Sequence, residues 1–131
     1  MKNMHLFIMV PAVFVLFILF AQEQPAIMVE EIAICTAVEE REPVGIDSVF
    51  SSDVGQLYCY TKITGLQDTS LVSHVWFHNN EQMASVQLTL KAKTWRTWSS
   101  KRIMPDWSGD WRVEIQNAAG ELVAKKSFKI Q

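Results

Sequence analysis

The chain has 131 residues, of which 49% are hydrophobic and 20% are charged, and its formal net charge is −2. A chain of this length can form one ordinary domain around a single core. Its slightly acidic balance disfavours a nucleic-acid-binding surface, because proteins of that class carry an excess of Lys and Arg that contacts phosphate groups.

The N-terminus has the pattern of a secretory signal over residues 1–21. A single base, Lys2, precedes an uncharged apolar stretch over residues 6–21, and polar residues return at Gln22. The apolar stretch is shorter than the ~20 residues that span a bilayer, and Pro11 interrupts it, so cleavage is favoured over retention as a membrane anchor. We therefore expect an extracytoplasmic protein, periplasmic or secreted, without membrane contact after cleavage; an uncleaved anchor is the alternative.

The two cysteines, Cys35 and Cys59, both lie inside apolar segments. In an exported protein this minimal even number predicts one disulfide, with a stabilising effect of roughly 3 kcal/mol for a loop of this length. Two buried free thiols on neighbouring strands are the alternative. A metal site needs more ligands than these two cysteines supply, and we expect neither a metal nor a cofactor.

A short linker over residues 22–29 leads into a domain over residues 30–131, where strand-like segments alternate with turn signals rich in Gly, Pro and Asn. No segment shows sustained helical periodicity. The charged stretch 39–55 is predicted to be a long connection. The predicted strands are residues 27–38, 56–64, 71–78, 82–90, 94–102, 111–116 and 122–130.

About seven short strands of this kind predict an all-β fold, an antiparallel β-sandwich of immunoglobulin-like type. The segment G-D-W-R-V-E-I supports it, because such sandwiches place an aromatic residue at the corner where the sixth strand begins. Trp111 would occupy that corner, and Val113 would point into the core. A small closed barrel is the alternative topology.

Five segments together resemble a known family. They are R-E-P-V-G at 41–45, L-Y-C-Y-T at 57–61, H-V-W-F-H-N at 74–79, W-R-T-W-S-S-K-R-I at 95–103 and G-D-W-R-V-E-I at 109–115. The chain resembles, over residues 30–130, the bacterial family catalogued as domain of unknown function 2914. The resemblance implies an exported bacterial β domain, found alone or appended to other modules, with no established activity or catalytic residues.

Patterns that mark catalysis are absent from the sequence, including G-x-S-x-G, H-E-x-x-H and C-x-x-C. His74 and His78 are four residues apart on a predicted strand, so their backbones lie ~13 Å apart, too far to bind one metal unaided. Ser99 and Lys101 share a strand face, but no oxyanion donor is evident beside them. We therefore predict that the protein is not an enzyme.

A binding role is easier to support, because Trp95 and Trp98 have opposite parity on one strand and cannot both face the core. Trp98 shares its face with Arg96 and is predicted to be partly exposed and stacked on the Arg96 guanidinium. In the alternative arrangement, Arg96 and Lys101 pair with acids of residues 39–53 and both indoles are covered. The candidate ligand-binding residues are Trp98, Arg96, Ser100, Lys101 and Trp95.

These features favour an exported, non-catalytic interaction module of the cell envelope whose partner is an envelope protein or a polysaccharide. A carbohydrate-binding module that uses exposed Trp and basic residues is the first alternative, and an uncharacterised enzyme is the second. The oligomeric state is left open by the sequence, since an antiparallel sandwich leaves strand edges that can associate.

Overall fold

The computed structural model describes Met9, residues 11–13 and residues 27–131. The predicted signal segment at 1–21 and most of the predicted linker therefore lie outside the described residues. The first strand begins at Met28, so the last two residues of the predicted linker belong to the sheet. Within the described part, no helix is long and apolar enough to cross a membrane.

Ten strands form the described domain, which confirms the all-β prediction. Seven of them are long and correspond to the seven predicted strands, whereas three short ones fall in or beside the stretch predicted as a connection. The strands are β1 (Met28–Cys35), β2 (Ala37–Glu39), β3 (Glu42–Val44), β4 (Val49–Phe50), β5 (Gln56–Thr64), β6 (Ser70–His78), β7 (Glu81–Leu90), β8 (Thr94–Arg102), β9 (Gly109–Asn117) and β10 (Leu122–Ile130).

The strands form two main sheets and one small hairpin. One sheet has three strands in the order β1-β5-β8, and the other has five in the order β4-β10-β9-β6-β7. All pairings between long strands are antiparallel, as predicted. The short β4 instead runs parallel to β10, so the larger sheet is mixed. β2 and β3 pair with each other as a separate hairpin.

A single apolar core lies between the two main sheets, because alternate side chains of each strand point towards the other sheet. β1 and β5 contribute aliphatic residues, and the facing sheet contributes two of the five tryptophans. The main contributors are Ile34, Leu57, Cys59 and Ile63 from the smaller sheet and Trp76, Trp111, Val113, Ile115 and Phe128 from the larger one.

Trp111 occupies the corner at the start of β9. It is only 2% exposed, and its indole N–H donates a hydrogen bond of 2.9 Å to the carbonyl of Trp107, four residues upstream. The indole lies between the rings of His78 and Phe128, at centroid distances of 4.7 and 6.0 Å. The predicted inward position of Val113 is confirmed, because Val113 is fully buried beside Trp111.

The hairpin β2–β3 lies against the outward face of the three-stranded sheet, where it contacts β1 and β5. Ala33 and Tyr60 are opposite each other on that outward face and yet are buried. The hairpin therefore provides a third layer over part of this sheet.

The predicted disulfide between Cys35 and Cys59 is not present, because both thiols are free. In the register of β1 and β5, Cys35 lies opposite Tyr58 and Cys59 lies opposite Ile34. Since consecutive residues point to opposite faces of a sheet, Cys59 enters the core and Cys35 points towards the hairpin. Burial raises the pKa of both thiols, which keeps them protonated and weakly nucleophilic.

The hairpin turn has an unfavourable sequence for its conformation. Glu40 and Arg41 both have positive φ, 49° and 64°, which is the geometry of a two-residue type I′ turn. The equivalent turn between β6 and β7 uses Asn79 and Asn80, and Asn tolerates this region far better than Glu or Arg.

We expect the double substitution Glu40→Asn and Arg41→Gly to raise the free energy of unfolding by about 1–2 kcal/mol, because it relieves backbone strain at two positions. Chemical denaturation of both proteins measures the difference. An unchanged or lower midpoint would show that the two native side chains make stabilising interactions that outweigh the strain.

Candidate functional site

One outward face of the molecule combines aromatic and basic side chains. In the register of β5 and β8, Tyr58 is opposite Ser100, Tyr60 is opposite Trp98, and Lys62 is opposite Arg96. All six side chains point away from the core, because the residues between them on both strands point inwards. We call the part formed by Tyr58, Tyr60, Arg96, Trp98 and Ser100 the Trp98 surface.

Trp98 is the most exposed aromatic residue of this surface, with 36% of its area accessible to solvent. Trp95, three residues earlier, lies on the other side of β8, opposite Ile63, and packs against the core. Because β8 is a regular strand, Trp95 and Trp98 point in opposite directions, as predicted. β8 is at the edge of its sheet, so the Trp98 indole is approachable from the side as well as from above.

Arg96 does not stack on Trp98, contrary to prediction. Its guanidinium makes an ion pair of 2.8 Å with Glu42 at the start of β3, so it fastens the hairpin to the sheet. Of the alternative arrangement only this part is observed: Arg96 pairs with an acid of residues 39–53, whereas Lys101 lies over Trp107 and Trp98 is exposed. Both side chains of the Arg96–Glu42 pair are partly exposed, and such a pair contributes at most about 1 kcal/mol.

Tyr60 lies opposite Trp98 on the sheet face that the hairpin partly covers. Its hydroxyl is buried and has no hydrogen-bond partner within the described residues. Burial raises the pKa of Tyr60, and the nearby Arg96 guanidinium opposes this shift. A buried hydroxyl without a partner costs about 1–3 kcal/mol, so the packing between hairpin and sheet is imperfect at this point.

Lys101 is not part of the Trp98 surface, which corrects the predicted cluster. It has the opposite parity on β8, and its ammonium lies 5.0 Å from the centroid of the Trp107 ring. The cation–π contact places Lys101 at the end of the sandwich, near the Trp111 corner. Of the five predicted residues, Arg96, Trp98 and Ser100 share one face, and Trp95 and Lys101 do not.

A buried polar network crosses the core and was missed by sequence reasoning. The His74 ring lies between Thr61 and Ser99, with Nε2 3.1 Å from Thr61 Oγ1 and Nδ1 2.8 Å from Ser99 Oγ. Trp76 Nε1 donates to Ser99 Oγ at 3.1 Å, and Thr61 Oγ1 donates to the Thr97 carbonyl at 3.3 Å.

One assignment of protons satisfies every member of this network. Because Thr61 donates to the backbone, its oxygen accepts the proton on Nε2 of His74. Nδ1 is then unprotonated and accepts from the Ser99 hydroxyl, whose oxygen accepts from Trp76. The network therefore requires a neutral His74, and burial lowers the pKa of His74 to about 4.

The Ser99–His74 contact has the distance of a nucleophile and its base, but it is sealed in the core. His74 is fully buried and Ser99 is 4% exposed, and the Ser99 oxygen already accepts from Trp76. His74 and Trp76 lie on the same face of β6, and both are buried in the core. The partnership with Ser99 depends on how the two sheets are aligned, and the sequence carries no signal for that.

His78 lies apart from this network. It is partly exposed, stacks on Trp111, and its Nε2 lies 2.8 Å from the Ser108 carbonyl. The two histidines share no site, and no group of three residues suited to binding a metal occurs in the described part of the chain.

A concavity of ≈ 950 Å³ lies on the outer face of the larger sheet. Its charged side chains are largely paired with each other: Arg112 with Glu114 at 2.8 Å, and Lys129 with Asp110 at 3.8 Å. The Arg112 guanidinium also covers the Phe77 ring at 4.0 Å. The arrangement is open and mixed in charge, without an excess of one sign that would favour a particular ligand.

Residues 69–130 match the model of a family described as protein of unknown function DUF2914. The match includes the resembling segments 74–79, 95–103 and 109–115, whereas 41–45 and 57–61 lie outside it. No curated protein matches the chain.

Solved structures that are similar to it include a beta-glucosidase from Listeria innocua in complex with glucose and a mutant of that enzyme in complex with laminaribiose. Each is 8% identical with a TM-score of 0.45, and the alignment covers 82% of this chain and 16% of the enzyme. The chain thus spans only a small part of the length of these enzymes.

Proposed function

By its residues 69–130 the chain belongs to the DUF2914 family, and we propose that it is an exported, non-catalytic module that binds another protein of the bacterial cell envelope through the Trp98 surface. The proposal depends mainly on the exposure of Trp98. A large, rigid indole that is about one-third exposed on a sheet face is a typical anchor for a protein partner, since Trp is enriched among the residues that dominate binding energy.

The hairpin β2–β3 supports this location. Its turn presents two charged residues, Glu40 and Arg41, in a backbone conformation that disfavours both. Backbone strain of this kind concentrates at functional sites, where the side chain matters more than local stability. The Arg96–Glu42 pair connects the hairpin to β8, so the charged turn and Trp98 belong to one continuous outer layer. Together they have the arrangement of an apolar anchor with a polar rim.

The immunoglobulin-like type of the sandwich is part of the same proposal. The three-stranded sheet β1-β5-β8 facing β10-β9-β6-β7 supports it, as does the Trp111 corner, whose bond to an upstream carbonyl matches the tyrosine corner of such domains. Domains of this architecture occur often in cell-surface proteins that bind other proteins, which is an argument from analogy.

The absence of catalysis is proposed on chemical grounds. The two hydroxyls that lie within hydrogen-bond distance of His74 in the described core, those of Thr61 and Ser99, are buried and closed to substrate. Export is proposed on the pattern of residues 1–21, with a single base followed by an uncharged apolar stretch.

A protein partner is favoured over a sugar by the number of aromatic rings available. Sugar-binding surfaces commonly stack a pyranose ring on more than one aromatic side chain. On the Trp98 surface the indole is exposed, Tyr58 is partly buried and Tyr60 is fully buried. One ring with charged neighbours fits a protein edge better than a polysaccharide chain.

Photo-cross-linking in cells tests the proposal. A photo-reactive residue at Glu40 should cross-link to one envelope protein, and Trp98→Ala in the same chain should abolish that product. Leu71→Ala, which removes an exposed apolar residue from the outer face of the other sheet, should leave the cross-link unchanged.

Two results would contradict the proposal. Cross-linking that survives Trp98→Ala would place the partner elsewhere on the molecule. Binding to a glycan array that Trp98→Ala removes would identify the Trp98 surface as a carbohydrate site instead.

A further inference from the structure

The edge strand β8 is the most regular free edge of the described domain. It pairs with β5 on one side, and in the described part of the chain no strand pairs with it on the other. Its register against β5 runs through nine consecutive pairs without a shift. The other edges are irregular or occupied: β1 has a bulge between Val29 and Glu31, β7 has one at Met83, and β4 pairs with the end of β10. Bulges and covering strands hinder the addition of a further strand, and β8 has neither.

The backbone groups of alternate β8 residues point to this free edge. Ile103, directly after β8, donates its N–H to the Gly55 carbonyl at 3.0 Å, and the Thr97 carbonyl accepts a hydrogen bond from the Thr61 hydroxyl at 3.3 Å. The odd-numbered residues of β8 therefore direct their N–H and C=O groups towards β5. In a regular antiparallel pair the residues between them direct theirs the other way. These residues also carry the β8 side chains of the Trp98 surface, Arg96, Trp98 and Ser100.

The sandwich has room for a further strand beside β8. The smaller sheet has three long strands, whereas the larger sheet has four, β10, β9, β6 and β7. His74 of β6 contacts side chains of both β5 and β8, so β7 extends beyond the smaller sheet. Leu90, where β7 leads into β8, is fully buried, but Ala84 and Val86 are partly exposed although they point inwards. A strand added to β8 would lie opposite this part of β7 and cover it.

The charges on β8 and on the residues that flank it all have one sign. From Gln82 to Pro105 there are five bases and no acid. Arg96, in the middle of β8, is already paired with Glu42. The other four bases are Lys91 and Lys93 before the strand and Lys101 and Arg102 at its end. Two copies of β8 would bring these bases together in either orientation, so the edge disfavours a second copy and favours a strand that carries acids.

We propose that the partner binds by strand addition, in which an extended, acidic segment of the envelope protein pairs with the free edge of β8. This mode of binding rests on the proposed function, because it takes a protein partner of the Trp98 surface as given. Backbone hydrogen bonds to Arg96, Trp98 and Ser100 hold the segment, and alternate side chains give the specificity. The outward side chains of the segment pack beside the Trp98 indole, and the others point towards β7.

A proline substitution at Ser100 tests the backbone pairing. Ser100→Pro removes an N–H that points to the free edge and does not bond to β5, so circular dichroism should show a folded domain. In cells the substitution should abolish the Trp98-dependent cross-link from a photo-reactive residue at Glu40. Ser100→Ala removes the hydroxyl but keeps the N–H, and it should leave the cross-link intact.

Two outcomes of this experiment distinguish strand addition from the proposed function. A Trp98-dependent cross-link that survives Ser100→Pro in a folded protein would overturn strand addition and leave binding through the Trp98 surface standing. A cross-link that survives Trp98→Ala would contradict the proposed function itself.

The identity of the captured peptide tests the partner's chemistry without the proline substitution. A photo-reactive residue at Ser100 should capture the same envelope protein as one at Glu40, through a segment with a net negative charge. Capture of a neutral or basic segment, or of a peptide from a second copy of this chain, would overturn the proposal.

Amide hydrogen exchange distinguishes strand addition from contact with the sheet face alone. In the free protein the amides of Arg96, Trp98 and Ser100 should exchange quickly, and those of the residues between them slowly. A synthetic peptide with the sequence of the captured segment should slow the three fast amides at least about tenfold. If the peptide bound without slowing them, the partner would lie on the face only and strand addition would be wrong.

Charge reversal at the two ends of β8 tests the preference for acids. Lys93→Glu combined with Arg102→Glu should weaken binding of the same peptide roughly tenfold, because it places acids near the acids of the segment. Lys125→Glu combined with Lys126→Glu makes the same change in net charge on β10, in the other sheet, and should leave the affinity unchanged. Equal weakening by both pairs would show a response to net charge alone and would contradict pairing with β8.

Discussion

Replacing Trp111 by alanine is expected to lower the free energy of unfolding by about 3–5 kcal/mol, the largest effect of any single substitution we predict. The indole is almost fully buried and contacts the rings of His78, Trp107 and Phe128. Its removal leaves a cavity at the corner and takes away the hydrogen bond to the Trp107 carbonyl. Chemical denaturation monitored by circular dichroism measures the loss.

Two variants separate the causes of this loss. Trp111→Phe retains an aromatic ring but not the indole N–H, and it should cost only about 1–2 kcal/mol. Trp98→Ala makes the same truncation on the exposed surface and should cost about 1 kcal/mol. If Trp111→Ala and Trp98→Ala lowered the free energy of unfolding by similar amounts, the packing around Trp111 would not be a major source of stability.

Strand alternation explains what the sequence could predict. Trp95 and Trp98 have opposite parity, and β8 runs from Thr94 to Arg102 with a continuous register against β5, so one indole packs inwards and the other outwards. By the same rule Val72, His74 and Trp76 share one face of β6, and all three are buried. Alternation is reliable here because a slip of one residue would expose the entire apolar face of a strand.

The sequence did not reveal the register in which the strands pair. The cysteine prediction assumed that Cys35 and Cys59 could meet, but the observed register offsets them by one residue and directs them to opposite faces. The hairpin β2–β3 was missed because its turn, Glu40-Arg41, lacks the Asn or Gly that marks a two-residue turn. The cluster around Trp98 was overestimated for a related reason, since Lys101 was counted by proximity in sequence although its parity directs it towards Trp107.

The stability of the protein is expected to fall as the pH decreases from 6.5 to about 4 because of His74. The pKa of a histidine is 6.5 in a solvated chain, and burial lowers that of His74 to about 4 in the fold. The unfolded chain therefore takes up the proton first. The stabilisation is complete above pH 6.5 and is lost progressively down to pH 4, by roughly 3 kcal/mol in total.

The expected loss of stability at low pH is large because of the groups that surround His74. The ring contacts the hydroxyls of Thr61 and Ser99, and no carboxylate takes part in the network to stabilise an imidazolium. If Nδ1 of His74 were protonated, it and the Ser99 hydroxyl would be two donors facing each other. The Ser99 oxygen already accepts a hydrogen bond from Trp76. Charging the ring thus disrupts a chain of hydrogen bonds that crosses the core between the two sheets.

Urea denaturation at a series of pH values tests this prediction. His74→Gln keeps a polar group beside Thr61 but does not titrate, so its stability should depend much less on pH between 6.5 and 4, even if it is lower throughout. His78→Gln removes the partly exposed histidine of the same strand and should retain the native pH dependence. If His74→Gln lost stability as steeply as the native protein, the acid sensitivity would arise from carboxylates elsewhere and not from the core network.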